Sequence, residues 1–359
     1  MNNNIEIKNI KKHFLLNIKE NSENSENSEK EKKYTTKLVK KCFNSINEVK
    51  ISDRIKKIYY YSNNYVIVED YDFIDIGQLN EKIIEKLHLT NDIKYLILKY
   101  KNENFVDFND FLFNFINPKL LIFHIIESFS YLLNSLIKLN NNNICFFNLS
   151  CKNIVFNLDC GEKPLLKNFQ TSLVISKLNE SYITDIIKNI NDYTNKPLEV
   201  HLLFYLVNND IHTVSFSFIE EICHFFVSNL SILNLFSDIF KLSYSELCKD
   251  SLRKYINQPK TEIILDILKQ SEKWDVYSLS VLYLHILGNI SRVFSLKQTF
   301  INKITMELTK NINPNPSKRN NLNDLLNNYN KLFYYESNWS FVNSLPSSKM
   351  SQLFNILDK

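Results

Sequence analysis

Four polar side chains in two short segments could do chemistry together. Asn148, Ser150 and Asn153 lie in residues 146–156, which read FFNLSCKNIVF, and Asn168 follows in the segment KNFQ, 20 positions after Asn148. The amide oxygens of Asn153 and Asn168 can ligate a cation, but Mg²⁺ favours carboxylate and phosphate oxygens. Neither segment contains a carboxylate, and Asn148 cannot accept a proton as an aspartate does. The residue types by themselves supply no general base, and Asn153 can equally cap a local turn.

The first segment resembles the catalytic loop of protein kinases, which reads H-R-D-L-x-x-x-N in that family. Leu149 and Asn153 match the family's leucine and asparagine. The family's His, Arg and Asp positions hold Phe146, Phe147 and Asn148. Ser150 stands where the family has the lysine that steadies the transferred phosphate. The resemblance therefore implies a catalytic loop without its base and without its phosphate-binding lysine.

The segment KNFQ resembles the D-F-G motif, in which the aspartate holds Mg²⁺. Asn168 replaces that aspartate, Phe169 matches the phenylalanine and Gln170 replaces the glycine. By the resemblance, Asn153 and Asn168 are the degenerate metal positions. The chain has only 3 glycines and none precedes residue 40, so the glycine-rich loop that lets backbone N–H groups approach phosphate is missing.

The nucleotide side of the resemblance lies in residues 34–101. Residues 34–43 resemble the strand that carries the lysine of the V-A-I-K motif, which places Lys40 at the phosphate-contacting position and Glu48 as its partner from the next helix. Leu98 falls near the gatekeeper position and Tyr100 in the hinge. The alternative is a solvated lysine at a strand end and a surface glutamate.

Three later segments resemble structural motifs of the large kinase lobe. They are KPLE at residues 196–199, WDVYSLS at residues 274–280 and NPSKR at residues 315–319, which are similar to A-P-E, D-V-W-S-L-G and D-P-x-x-R. The resemblance implies that Asp275 hydrogen-bonds the backbone of residues 146–148 and that Glu199 pairs with Arg319. Asp275 can instead be an ordinary first-turn carboxylate that interacts favourably with its helix dipole.

The elements that must position these residues form an α+β pattern. Strand-like patterns occupy residues 14–18, 34–43, 59–61, 65–69 and 93–100, with a helix over residues 46–58. After residue 101 most segments have helical periodicity, at residues 118–139, 198–208, 215–230, 231–247, 259–270, 274–288 and 320–334. Residues 154–158 and 165–169 predict a hairpin.

The resemblance turns this pattern into a bilobal kinase-like architecture. The predicted units are a segment over residues 1–33 that contains the NSE repeat, a small lobe over 34–101, a large lobe over 102–335 and a tail over 336–359. In the family the motifs matched by Glu199 and Asp275 lie close in sequence, but here 76 positions separate them. A helical insertion over 200–270 follows, which either packs the large lobe or offers an interaction surface.

Composition limits the classes of partner. The chain has 359 residues, 44% hydrophobic and 13% aromatic, which predicts a packed globular protein. A net charge of +4, spread along the chain, does not demand nucleic acid. No apolar run of about 18 residues is visible, so no membrane segment is expected. The six cysteines lack zinc-ligand spacing, which favours free thiols in an intracellular, cytoplasmic protein. The asparagine-rich composition is similar to that of kinase-like proteins of giant DNA viruses, which implies a host cytoplasm or virion.

Together these patterns predict a pseudokinase: a kinase-like fold that binds a protein partner as a scaffold or regulator, with no cofactor assured. The alternative is a weak or unconventional ATP- and Mg²⁺-dependent Ser/Thr kinase that uses Lys40, Glu48 and Asn153. A third hypothesis, a nucleic-acid binder, rests on the basic sequence pI near 8.5 and the aromatic content.

Overall fold

Local sequence pattern and chain topology combine into an α+β structure. The computed structural model describes residues 4–10, 13–19, 34–74, 84–85, 89–90, 93–101, 103–190, 193, 195–209, 211–335 and 337–357. Most of the strands precede residue 108, and nearly all of the chain after residue 175 that is described and regular is helical. The predicted α+β class is confirmed. The NSE repeat at residues 21–29 lies outside the described residues.

The strands form a five-stranded antiparallel sheet and two smaller sheets. In chain order they are β1 (Asn4–Ile10), β2 (His13–Lys19), β3 (Tyr34–Lys40), β4 (Asp70–Ile74), β5 (Tyr95–Lys101), β6 (Phe105–Asp107), β7 (Ile144–Cys145), β8 (Ile154–Asn157), β9 (Lys163–Leu166) and β10 (Leu173–Val174). The large sheet has the order β1-β2-β3-β5-β4, and the small sheets pair β10 with β7 and β6-β8-β9. The β8–β9 hairpin confirms the predicted turn, where Gly161 adopts a left-handed φ of 76°.

The helices of the described chain account for most of the remaining regular structure. They are α1 (Phe43–Ile55), α2 (Phe108–Phe113), α3 (Pro118–Asn141), α4 (Glu180–Lys188), α5 (Leu198–Asn208), α6 (Phe216–Asn229), α7 (Asp238–Leu252), α8 (Lys260–Leu268), α9 (Trp274–Val293), α10 (Phe300–Asn311), α11 (Leu322–Tyr335) and α12 (Met350–Leu357). Helical periodicity predicts eight of these twelve helices, because each buries an apolar stripe. The helix predicted over 231–247 begins only at Asp238, after a 3₁₀ turn at Ser231–Leu235, and α2, α4, α10 and α12 were not predicted.

Helix α3 is the longest helix among the described residues. Pro118 occupies its first turn, and the Asn117 side chain accepts a hydrogen bond from the Lys119 N–H, so both residues favour a helix start here. By length and composition alone, the helix could cross a membrane. The protein buries 61% of its most apolar stretch, with Leu121 and Ile125 fully enclosed. The helix therefore serves as a core helix.

Two predicted strands before β4 are wrong. Residues 61–63 form a 3₁₀ turn after Tyr60, whose φ is 54°. Tyr65 makes one isolated bridge to Leu166, and its hydroxyl donates to the Ser135 carbonyl of α3 at 2.7 Å. The segment is buried, contacts α3 through Tyr65 and forms only an isolated bridge to β9, so it is not a strand of the large sheet.

Two groups of buried apolar residues stabilise the fold. A small cluster of Val49, Val68, Leu96 and Leu98 lies between α1 and the large sheet. A much larger cluster runs through the helical part of the chain and includes residues of every described helix from α1 to α12. Burial of apolar surface on this scale is the main stabilising contribution in a protein of this size.

The predicted insertion contributes to the large core. Within it, Cys223 and Phe226 of α6 and Tyr244 of α7 are buried, and the Tyr244 hydroxyl donates to the Ile312 carbonyl at 2.7 Å. The outer face of α7 remains exposed at Ile239 and Leu242. The segment thus packs on the helical core through one face.

Candidate functional site

Asp275, in the first turn of α9, hydrogen-bonds the backbone of the loop that contains Asn148. The carboxylate of Asp275 accepts hydrogen bonds from the Phe146 N–H at 2.7 Å and the Phe147 N–H at 2.8 Å. Phe147 has a φ of 63°, a left-handed conformation that is costly for a bulky residue. The two hydrogen bonds stabilise this turn, and the contact that the resemblance implied for Asp275 is present.

Lys196 provides a second support that the sequence analysis missed. Its side chain is buried, donates to the Phe147 carbonyl and lies with Nζ 4.4 Å from the centroid of the Phe147 ring. Burial raises the pKa of Asp275, whereas the N–H groups of Phe147 and Phe146 and the charge of Lys196 lower it. A lysine before Pro197 reads as a surface residue in sequence, so only the tertiary structure identifies this partner.

Three asparagines form a chain of amide contacts above this turn. The Asn168 Nδ2 donates to Asn153 Oδ1 at 2.7 Å, and the Asn153 Nδ2 donates to the Asn148 carbonyl at 2.7 Å. Asn153 Nδ2 also lies 3.4 Å from Ser150 Oγ. The structure therefore brings all four residues of the predicted site together, and Asn153 is buried within the network. Asn148 takes part through its backbone carbonyl, whereas Ser150, Asn153 and Asn168 take part through their side chains.

The network contains only neutral donors and acceptors. Asn168 has a φ of 65°, which asparagine tolerates better than most residues. In the part of the chain that the structure describes, no cluster of three or more His, Cys, Asp or Glu side chains could hold a metal ion. The geometry can order the loop and offer amide oxygens to a weakly bound cation, but it supplies no carboxylate.

An aromatic column links this loop to the segment before β4. Phe169, fully buried, packs edge-on against Phe146 at a ring-centroid distance of 5.1 Å and against Tyr65 at 5.9 Å. Ser172 Oγ donates to the Phe146 carbonyl at 2.9 Å. Phe146 and Phe169 are therefore core residues, and Phe146 has no proton to exchange.

The predicted pairing of Lys40 with Glu48 is wrong. Lys40 is exposed at the end of β3 and makes no ion pair with Glu48. Side chains alternate along a strand, so Lys37 shares the face of Val39, which packs towards α1, and Lys40 lies on the opposite face. Lys37 is the positive charge that acts on Glu48.

Glu48 is buried on the inner face of α1. The Tyr100 hydroxyl donates to Glu48 Oε1 at 3.1 Å. Burial raises the pKa of Glu48, and the charge of Lys37 and the Tyr100 hydrogen bond oppose that rise. Tyr100, predicted for the hinge, thus turns its side chain towards Glu48, while Leu98 is fully buried in the small apolar cluster.

Asn47, one residue earlier, joins α1 to the segment after Asn168. Its Nδ2 donates to the Gln170 carbonyl at 3.0 Å and to the Ser172 carbonyl at 2.9 Å. The side chain is buried, so the two carbonyls would lack a partner without it. In the sequence, Asn47 is a polar residue on the apolar face of the predicted helix, and this could have indicated a buried hydrogen-bonding role.

Glu199 of α5 and Arg319, in the turn before α11, form a buried ion pair. Arg319 donates from Nη1 to Oε1 at 2.7 Å and from Nη2 to Oε2 at 2.9 Å, which is the bidentate geometry. Both side chains are buried, and the Arg319 guanidinium lies 4.9 Å from the centroid of the Tyr277 ring. Burial lowers the pKa of Arg319, but Glu199 outweighs it and the net direction is upward. The predicted contact is present.

No protein-family model matches this chain, and no curated protein matches it significantly.

Proposed function

We propose that this chain is a divergent protein-kinase-like protein with impaired phosphoryl transfer, which acts as a binding, scaffold or regulatory module for a protein partner. The observation that carries the proposal is the amide network of Asn148, Asn153 and Asn168 on a loop braced by Asp275. The loop keeps the contacts that order a catalytic loop, while the groups that would do the chemistry are replaced by neutral amides.

The arrangement of the two apolar clusters supports a bilobal kinase-like architecture. The small cluster joins α1 to the large sheet, and the large cluster joins the helices that follow. Asn47 and the aromatic column of Tyr65, Phe169 and Phe146 connect the two parts beside the asparagine network. In this proposal the network lies in the region where the kinase family binds nucleotide and metal.

The magnitudes favour loss of activity. A positioned general base contributes about 10²–10⁴ in rate, and Asn148 cannot act as one. Stabilisation of developing phosphoryl charge by a metal is a further large electrostatic contribution. Asn168 offers an amide where Mg²⁺ prefers a carboxylate, and Ser150 offers no positive charge. One such change could be rescued by a neighbouring group, but the combination leaves little chemistry.

One observation favours the alternative of a weak Ser/Thr kinase. Lys37, rather than Lys40, shares a sheet face with the side chains that contact Glu48, so a lysine is present near the buried glutamate. The two lysines therefore provide a matched pair of variants. In the alternative, Lys37→Ala abolishes activity and Lys40→Ala leaves it unchanged.

The deciding experiment is a titration of the full chain with ATP, with and without Mg²⁺, alongside a phosphate-transfer assay on a generic protein substrate. The proposal expects no transfer above background and no Mg²⁺-dependent gain in ATP affinity. The variant Asn168→Asp is expected to acquire Mg²⁺-dependent nucleotide binding, because it places a carboxylate beside the side chain of Asn153. Transfer by the unmodified chain that is lost in Asn153→Ala and in Lys37→Ala, but kept in Lys40→Ala, would overturn the proposal.

A further inference from the structure

Strand β4 lies at an edge of the large sheet. It pairs with β5 on one side, and among the described residues no strand pairs with it on the other. Its residues 70–73 are all exposed. An edge strand presents unpaired backbone N–H and C=O groups to which another strand can bond, and natural edges are commonly protected by lysine or proline. β4 reads DYDFI and contains neither, so a further strand could extend the sheet here.

One face of β4 is aromatic. Tyr71 and Phe73 pair with Leu98 and Leu96 of β5, so their side chains lie on the face of the sheet that packs against α1. Tyr71 is nevertheless 38% exposed and Phe73 59% exposed. The two rings meet edge-on with centroids 5.9 Å apart, and Lys41 Nζ lies 4.9 Å from the Phe73 centroid. This face therefore retains apolar surface that the side chains of an added strand would cover.

The other face of β4 is acidic. Asp70 and Asp72 share it, and both contact Lys99 Nζ of β5, at 2.9 Å and 2.7 Å. The aspartate side chains are 61% and 58% exposed. Lys56 also acts on Asp70, but its ammonium is paired with Asp53. Two carboxylates that share one ammonium leave a negative charge on this face, which favours a basic side chain beside them.

The same carboxylates disfavour pairing of β4 with a second copy of this chain. Two antiparallel β4 strands whose α1 faces lie on the same side would place aspartates of one copy opposite aspartates of the other. Like charges directly opposite each other in a sheet are destabilising, whereas opposite charges attract. Charge complementarity therefore favours a different chain, one that carries basic residues at these positions.

We propose that β4 is the docking edge for an extended protein segment in which basic and apolar residues alternate. The segment adds a strand through main-chain hydrogen bonds, its basic side chains lie beside Asp70 and Asp72, and its apolar side chains cover Tyr71 and Phe73. In this mode of recognition the main chain supplies affinity and the alternate side chains supply specificity. The inference rests on the proposed function, because it names the kind of protein partner that a scaffold or regulatory module would bind.

The test is titration of the full chain at pH 7 with a fluorescent peptide of alternating lysine and valine, followed by fluorescence anisotropy. We expect a Kd below about 200 μM. The same peptide N-methylated at every backbone nitrogen keeps its charges but cannot donate main-chain hydrogen bonds, and it should bind at least about 10-fold more weakly. A peptide of alternating glutamate and valine should bind at least about 10-fold more weakly as well. Amide hydrogen exchange of Asp70–Ile74 should slow when the basic peptide binds.

Two pairs of variants locate the contact. Asp72→Lys should weaken binding of the basic peptide by about 5-fold or more and strengthen binding of the acidic peptide, because it reverses a charge on the acidic face. Asp250→Lys is the matched control, since both aspartates are in exposed ion pairs, with side chains 58% and 61% exposed. Phe73→Ala should weaken binding by about 3-fold, whereas Phe216→Ala, at a ring that is 49% exposed on α6, should not.

The proposal is overturned by the absence of binding of the basic peptide, by equal affinity for the N-methylated or acidic peptide, or by equal effects of Asp72→Lys and Asp250→Lys. Dimerisation of the chain that slows exchange in β4 would assign this edge to a second copy and would overturn it too. If Asp72→Lys fails to fold, the comparison of Phe73→Ala with Phe216→Ala decides. The ATP titration does not involve this edge, so a failure here leaves the proposed loss of phosphoryl transfer standing.

Discussion

At the scale of single residues, the region around the loop depends on ionisable side chains that are buried and individually matched. Asp275 accepts two backbone N–H groups and lies near the charge of Lys196. Glu48 is matched by the Tyr100 hydroxyl and by the charge of Lys37. Buried charges are costly without such partners, so each group should respond strongly to a change that preserves its size.

Asp275→Asn is expected to lower the free energy of unfolding by about 2–4 kcal/mol. The amide offers one oxygen where two N–H groups need acceptors, and it removes the negative charge beside Lys196. Urea denaturation followed by circular dichroism measures the change. Asp238→Asn is the control, because that first-turn carboxylate of α7 is 93% exposed; equal stabilities of the two variants would contradict the bracing role.

Glu48→Gln is expected to stabilise the protein increasingly as pH rises. Burial raises the pKa of Glu48 above its ordinary value of 4.5, so the folded state binds more protons than the unfolded state above that pH. The contribution of Glu48 to stability is therefore greatest below pH 4.5 and is lost as pH rises through the folded pKa. The glutamine keeps an acceptor for Tyr100 and does not ionise.

The measurement is the difference in unfolding free energy between Glu48→Gln and the unmodified chain from pH 4 to pH 8. The difference should grow with pH and then level off. Glu246→Gln is the control, since the Glu246 side chain is 68% exposed and should give a small effect across the range. A difference for Glu48→Gln that shrinks as pH rises would contradict the assigned direction.

At the scale of elements, side chains distant in sequence fix how helices and loops meet. Asn47 ties α1 to the backbone of Gln170 and Ser172. Glu199 of α5 pairs with Arg319, which also donates to the Asn313 and Pro314 carbonyls in the turn before α11. These contacts stabilise the backbone around the loop that contains Asn148, and they do not depend on charged side chains within that loop.

Glu199→Gln is expected to destabilise the protein by about 3–5 kcal/mol, because it leaves the buried guanidinium of Arg319 without a counter-charge. Arg253→Gln is the comparison, since Arg253 and Asp250 form an ion pair whose side chains are 64% and 61% exposed. That change should stay within about 1 kcal/mol. Denaturant titrations of both variants measure the contrast, and comparable losses would contradict the importance of burial.

At the scale of the whole molecule, the helices from both ends of the sequence share one core. Residues 336–359, predicted as a tail, contain helix α12, in which Met350 and Leu353 are buried against α9 and its neighbours. Phe354 of the same helix packs on Phe113 with ring centroids 5.2 Å apart. The end of the described chain therefore contributes to global stability.

Leu353→Ala is expected to cost about 2–5 kcal/mol, the usual range for truncating an enclosed leucine. Met306→Ala is the control, because Met306 is 61% exposed on α10 and should change little. Thermal unfolding of both variants, with the midpoint as the readout, tests the assignment. A midpoint for Leu353→Ala equal to that of the unmodified chain would show that α12 is not part of the cooperative core.

The sequence alone was sufficient for elements whose signal is local. Apolar periodicity located helices such as α3 and α9, and the turn around Gly161 located the β8–β9 hairpin, because each of these depends on neighbouring residues. It also predicted the contacts of Asp275 and of Glu199 with Arg319, since the motifs that contain them keep their order along the chain.

Only the tertiary structure decided which side chains meet. Lys37 and Lys40 are three residues apart on β3, and because side chains alternate along a strand they lie on opposite faces of the sheet. The apolar segment that contains Tyr65 could be a strand or a buried connection, and its partner in α3 decided between them. The burial of Lys196 and its bond to the Phe147 carbonyl depend on elements remote in sequence. Local propensity specifies an element, whereas the enclosure and charge state of a side chain depend on everything packed around it.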